Sequence, residues 1–135
     1  MHTVILCGGF GTRIREETEF KPKPMINIGT KPILWHIMKS YSHFGFNNFI
    51  LTLGYKSEII KNYFLNYDFL NNDIEIKLGK KNQIKFLNET AFESSDESKW
   101  KLILSETGLN SSTGYRLWLI RDYLLKNEDS HFMLT

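Results

Sequence analysis

The chain has 135 residues, 41% hydrophobic and 24% charged, enough to enclose one hydrophobic core and too few to suggest two. Its 17 basic and 15 acidic residues leave a formal charge of +2, too balanced for a nucleic-acid surface. One cysteine excludes an internal disulfide and a cysteine metal cluster; no apolar run spans a bilayer, and no signal-peptide pattern opens the chain, so a cytoplasmic protein is expected.

Thr3 to Cys7 reads as a short apolar strand, with Cys7 a small buried side chain rather than a nucleophile. The run Leu6-Cys7-Gly8-Gly9-Phe10-Gly11-Thr12-Arg13 then places three glycines in four positions. Glycines there leave backbone N–H groups uncovered, so a phosphate chain can approach within hydrogen-bonding distance. Arg13, and Lys23 within Lys21-Pro22-Lys23-Pro24, supply positive charge, and the two prolines stiffen the loop around Lys23. A P-loop needs Gly-Lys-Ser/Thr at its end, and a dinucleotide fingerprint needs a further glycine three residues after Gly11; the sequence continues Thr12-Arg13-Ile14 and fits neither. The pattern is that of a nucleoside triphosphate site.

The stretch from Gly8 to about Lys31 is expected to be a long functional loop. Thr30 is positioned to cap a helix with Pro32 as its second residue, along which Ile33, Leu34, Ile37, Met38, Tyr41 and Phe44 repeat before Gly45 stops it. Trp35, Met38 and Tyr41 read as core or interface residues. His36 and His43 roughly share a face of this helix, without a third ligand near in sequence, so no metal site is expected. Phe49 to Leu53 is the second strand, and Gly54-Tyr55-Lys56 a turn in which Lys56 either touches phosphate or sits exposed. Ser57 is the expected cap of a helix with the stripe Ile59, Ile60, Tyr63, Phe64, Tyr67.

Asp73 to Leu78 and Gln83 to Leu87 alternate around Gly79-Lys80-Lys81-Asn82, as strands of a half-exposed hairpin lateral to the sheet. Lys80, Lys81 and Lys85 are then solvated charges. Asn88 to Lys99 is a polar loop, and Lys101 to Ser105 another strand. A helix starts at Ser112 or Thr113 and runs to about Lys126, with Trp118 packing it on the sheet, and His131 to Thr135 begins a last strand. Strands and helices taking turns specify an α/β fold, a parallel sheet covered on both faces.

The residues GGxGTR, then Glu16-Glu17-Thr18, Lys21-Pro22-Lys23-Pro24-Met25 and KPILWHIM resemble the opening of a sugar-1-phosphate nucleotidyltransferase. Within that family the Glu-Glu-Thr and Lys-Pro-Lys-Pro-Met runs are similar to the branch that transfers a cytidylyl group from CTP to glucose 1-phosphate. Further matches at Gly54-Tyr55-Lys56, Thr107-Gly108 and Thr113-Gly114-Tyr115-Arg116-Leu117 extend the resemblance over nearly the whole chain. It implies a Rossmann-like, three-layer fold with a mostly parallel sheet, truncated at its C-terminal side. Residues 1–135 would then be the N-terminal nucleotide-binding part of a nucleotidyltransferase domain.

The implied chemistry is attack of a sugar 1-phosphate oxygen on the α-phosphorus of CTP, giving CDP-glucose, a precursor of deoxysugars in bacterial surface polysaccharides, and pyrophosphate. Arg13 and Lys23 are the catalytic residues the resemblance implies, Arg13 for the leaving pyrophosphate and Lys23 for the α-phosphate or sugar phosphate. Leu6, Gly8, Gly9, Gly11, Thr12, Arg13, Lys23, Thr113, Gly114 and Arg116 would line the nucleotide. Thr113 and Arg116 read equally as polar contacts to base and ribose or as parts of a helix start. Glu16 and Glu17 would order the loop or meet a nucleotide hydroxyl.

The resemblance also implies Mg²⁺ held by an aspartate of a Gly-Asp pair after the strand that Phe132 begins and by a second aspartate further on; both would be expected beyond residue 135. Asp68, Asp73, Asp96, Asp122 and Asp129 fall in predicted loops or on the outer helix and are poor substitutes. This chain alone is therefore expected to bind nucleotide weakly without turnover, while a full-length relative would be a homo-oligomer. Two other readings stay open: a uridylyl- or thymidylyltransferase of the same family, and a non-catalytic nucleotide-binding module.

Overall fold

A computed structural model of the chain describes residues 1–10, 20–79, 81, 83–87, 95–126 and 131–135. Strand β1 (His2–Leu6) is followed by a 3-10 turn at Lys23–Met25, the two-residue strands β2 (Asn27–Ile28) and β3 (Lys31–Pro32), and helix α1 (Ile33–His43). Strand β4 (Asn48–Leu53), helices α2 (Ser57–Leu65) and α3 (Tyr67–Asn71), and strands β5 (Ile74–Lys77) and β6 (Gln83–Phe86) come next. A second 3-10 turn (Asp96–Lys99), β7 (Lys101–Glu106), α4 (Thr113–Leu119), α5 (Arg121–Leu125) and β8 (Phe132–Leu134) follow.

Four strands form one parallel sheet in the order β7-β4-β1-β8, with Val4 opposite Ile50 on one side and Leu134 on the other. Side chains alternate between its faces, as strand geometry requires. Ile5, Phe49, Leu51 and Leu53 enter a core cluster with Leu34 and Met38 of α1 and Ile60 of α2. Val4 and Ile50 instead pack with Ile120, Leu117 and Leu124 at the other helical layer. The chain steps outward from β1 to β4 to β7, then returns across the sheet to β8. Right-handed crossovers in opposite directions place their helices on opposite faces, which gives the three-layer α/β architecture.

Several local expectations change. The first strand begins at His2 and ends at Leu6 because His2 pairs with Phe132, one residue ahead of the apolar run. Thr30 does not cap α1: Lys31–Pro32 pair with Asn27–Ile28 about a turn at Gly29 (φ 67°), and Pro32 is the N-cap, without a side-chain bond. Ser57 is the first residue of α2, and Lys56 caps it in the left-handed conformation (φ 50°). The stripe expected to continue to Tyr67 is cut at Asn66, and the helix expected to reach Lys126 is cut at Ile120.

Trp118 does not pack on the sheet; it is 54% exposed, stacked on Tyr115 and covered by Arg121. The hairpin β5–β6 is a separate two-stranded sheet, joined to α3 by the stacked rings of Phe69 and Phe86. Within the expected polar loop, Asp96–Lys99 form a turn docked to α1 through the Lys39 bridge to Asp96 at 3.0 Å. Asp68 lies in α3 rather than in a loop. Residues 88–94 of that polar loop, Lys80 and Asp129 lie outside the described residues.

Candidate nucleotide site

In open parallel sheets, ligands bind beyond the carboxyl ends of the strands where the chain reverses direction across the sheet. Here that point lies between β1 and β8. Three turns gather beside it: Gly8–Gly9 after β1, Gly54–Lys56 after β4, and Thr107–Ser112 after β7. Backbone bonds bind their roots together, from Leu6 N to Thr135 O (2.9 Å), Cys7 N to Thr52 O (3.0 Å) and Thr107 N to Leu53 O (2.8 Å).

Arg116, on the first turns of α4, lies beneath all three. It is 5% exposed. Its Nη2 donates to Gly8 O at 3.1 Å and Leu109 O at 3.4 Å, and Nη1 donates to Thr107 Oγ1 at 2.6 Å, Gly108 O at 2.8 Å and Leu53 O at 3.4 Å. Nε donates to Ser111 O at 3.1 Å. The Thr107 hydroxyl in turn donates to Leu53 O at 2.8 Å, and Ser111 Oγ donates to Thr107 O. Burial lowers the guanidinium pKa from its ordinary value, and among the described residues no carboxylate pairs with it. Carbonyl dipoles carry the compensation instead.

This cation gives Gly8 a reason that the glycine motif alone does not supply. A Cβ on Gly8 would stand 2.0 Å from Arg116 Nη1, and one on Gly54 would stand 2.5 Å from Gly108 O and 2.9 Å from Gly8 O. Both positions must be bare for the turns to close on the guanidinium. Gly9 differs: it is exposed, with open space where its Cβ would be. Among the described residues of the run, the accessible glycine surface is therefore at Gly9.

Around this centre, Phe10 packs on Tyr55 with ring centroids 5.4 Å apart, and Lys56 Nζ lies 5.6 Å from the Tyr55 ring. Lys61, at 2.7 Å, and Ser57 both bond Glu106 at the end of β7 and hold its carboxyl below the usual range. Lys23 is exposed on its 3-10 turn while the neighbouring Met25 is buried in the cluster that includes Cys7. The turn is anchored by Met25 N to Pro22 O at 2.9 Å and by Ile33 N to Ile26 O at 2.8 Å. Leu6 ends β1, half-buried, whereas Thr113 and Gly114 are exposed on the first turn of α4, whose cap is Ser112 accepting from Tyr115 N at 3.2 Å. Gly11, Thr12, Arg13, Glu16 and Glu17 lie outside the described residues.

The expected site thus divides. Leu6, Gly8 and Arg116 converge at the strand ends; Lys23 stands on a separate anchored turn, and Thr113 and Gly114 face solvent. Thr107 and Gly54 stood in the sequence only as parts of motif matches, and Leu53 as a strand end; that they close around Arg116 was not legible, because Gly8 and Arg116 are 108 residues apart in sequence. One signal was available: Arg116 precedes the buried Ile120 by four residues, so the two share the inner face of the helix. His36 bonds Ile28 O through Nε2 at 2.9 Å. Among the described residues no three His, Cys, Asp or Glu side chains gather as a metal site, so none here is assigned to Mg²⁺.

The chain belongs to the nucleotidyl transferase family, which it matches over residues 2–104; members generally need a divalent metal. It is 43% identical over all 135 residues to a probable glucose-1-phosphate cytidylyltransferase of Bacillus subtilis, and 42% identical over the same length to the glucose-1-phosphate cytidylyltransferase of Salmonella typhimurium. In both cases it spans 49% of the relative, about half its length. The crystal structure of a UDP-glucose pyrophosphorylase complexed with UDP-glucose superposes on 91% of this chain and 41% of its own, with TM-score 0.58 and 14% identity, a likeness of fold. No helix among the described residues is long and apolar enough to cross a membrane.

Proposed function

We propose that these residues form the nucleotide-binding part of an enzyme that transfers a cytidylyl group from CTP to glucose 1-phosphate, producing CDP-glucose and pyrophosphate. The observation that carries the reading is identity of 42–43% along the entire chain to two glucose-1-phosphate cytidylyltransferases. The glycine surface at the reversal point of the sheet supports it.

In this reading a phosphate oxygen of glucose 1-phosphate forms a new bond to the α-phosphorus while the bond to the bridging oxygen breaks, and that electron pair leaves with pyrophosphate. The protein's task is to align the two phosphates and neutralise charge developing on their oxygens. Lys23 neutralises the α-phosphate or sugar phosphate, and Arg13 holds the leaving pyrophosphate through a forked contact. Gly9 and Gly11 admit the phosphate chain, and Leu6, Gly8, Thr12, Thr113, Gly114 and Arg116 shape the surroundings of base and ribose. Mg²⁺ supplies further charge neutralisation, its ligands expected outside these residues. The enzyme works as a cytoplasmic homo-oligomer supplying nucleotide sugar for surface polysaccharide such as O-antigen.

The test is pyrophosphate release by the full-length protein from each nucleoside triphosphate with glucose 1-phosphate. CTP should be preferred, and Lys23→Ala and Arg13→Ala should each lower kcat/KM by tenfold or more, the loss expected for a charge-assisted contact of about 1.5–3 kcal/mol. Equal rates with UTP, or unaltered kinetics in both variants, would remove the assignment.

A further inference from the structure

We infer that Arg116 is a positioning residue, which holds the turns after β1, β4 and β7 in the one arrangement that presents Gly9 to the nucleotide; this rests on reading that surface as a nucleotide site. All three guanidinium nitrogens are engaged by protein acceptors: Gly8 O and Leu109 O at Nη2, Thr107 Oγ1, Gly108 O and Leu53 O at Nη1, and Ser111 O at Nε. A planar fork with five N–H donors can bridge acceptors in several directions at once. An ammonium, a single point with three donors, cannot span the same set.

The partners come from three successive crossovers of the fold, so the arginine joins turns that strand pairing alone would leave free to shift. Their carbonyls point inward to the cation, and Gly8 and Gly54 carry no Cβ where it and its partners sit. With those carbonyls fixed, the backbone of the glycine turn has one presentation to solvent, at the open and exposed Gly9. Arg116 thus acts through the loops, without contact to the ligand.

The experiment compares Arg116→Lys, Arg116→Met and Gly8→Ala in the full-length protein by amide hydrogen exchange, CTP titration and thermal unfolding. Gly8→Ala keeps the charge but displaces it, since the new Cβ would lie 2.0 Å from Nη1. All three variants should exchange at least tenfold faster in residues 6–10, 53–56 and 107–112, with the centres of β1 and β4 unchanged, and should bind CTP about tenfold more weakly. Lysine should not rescue, and Gly8→Ala combined with Arg116→Lys should be no worse than either alone.

Acceleration spread evenly over the sheet would make Arg116 a residue of general stability and overturn the inference. So would weaker CTP binding with unchanged exchange, which indicates direct contact. If Arg116→Met does not fold, the other two variants decide. Should the unaltered protein bind no CTP, the nucleotide reading falls; exchange confined to the three segments would still sustain the clamp, and unchanged exchange would remove it.

Discussion

Cys7 sits at the foot of the glycine turn, 1% exposed, and burial pushes its thiol from 9.0 up to about 12. Tyr63, on α2 and packed against the core cluster, is pushed from 10.0 to about 12, first by burial and then by Tyr67 and Glu97. Both groups keep their protons in the folded chain at pH values where the unfolded chain has begun to lose them. Unfolding therefore releases protons between about pH 9 and 12, and stability falls as pH rises through that window. Urea unfolding at pH 8, 9.5 and 10.5 should show this fall, and it should be shallower in Cys7→Ala; identical slopes in the two proteins would contradict the burial account. Cys7 as a small buried residue was legible from its place at the end of an apolar strand. The reason for Gly8 was not, because its neighbour Arg116 comes from the far end of the chain.

Among the described turns, the one at Gly54 is closed against backbone atoms rather than against the end of a side chain, as at Gly8. A Cβ on Gly54 would meet Gly108 O at 2.5 Å and Gly8 O at 2.9 Å, backbone atoms that cannot swing aside. Gly54→Ala should therefore cost roughly 1–3 kcal/mol, the usual range for overfilling a packed site, and chemical denaturation is the check; a loss below about 0.5 kcal/mol would mean that the turns close less tightly than described. The central strands and α1 were legible because their apolar spacing matches their burial, as at Leu34, Met38, Phe49 and Leu51. Helix ends and breaks were not. Thr30 has capping chemistry, but the β2–β3 pairing places it in the tip between the strands, and Lys56 takes a left-handed conformation that its residue type does not advertise. The apolar stripe from Tyr115 to Leu125 runs through the break at Ile120 without a glycine or proline to mark it. Trp118 reads as core by type, yet its ring is held at the surface between Tyr115 and Arg121.

At the scale of the whole molecule, the order β7-β4-β1-β8 puts the strand leading to the glycines beside the reversal point of the sheet. Strand and helix alternation was enough to expect a parallel α/β fold, and the glycine run following β1 was enough to expect a ligand at that end. What pattern alone did not reveal was that the site rests on a buried cation joining three crossovers. The central claim is that this face, together with Lys23 on its separate anchored turn, takes a cytidine nucleotide. The most direct measurement is titration of the 135-residue chain and its Lys23→Ala variant with CTP, UTP, GTP and dTTP, following the backbone amide resonances of Gly8 and Gly9. The account predicts shifts at both amides with CTP binding tightest of the four, and an affinity lowered by about tenfold in the variant, or about 1.4 kcal/mol. Shifts elsewhere with none at the glycines, or equal response to all four nucleotides, would contradict it.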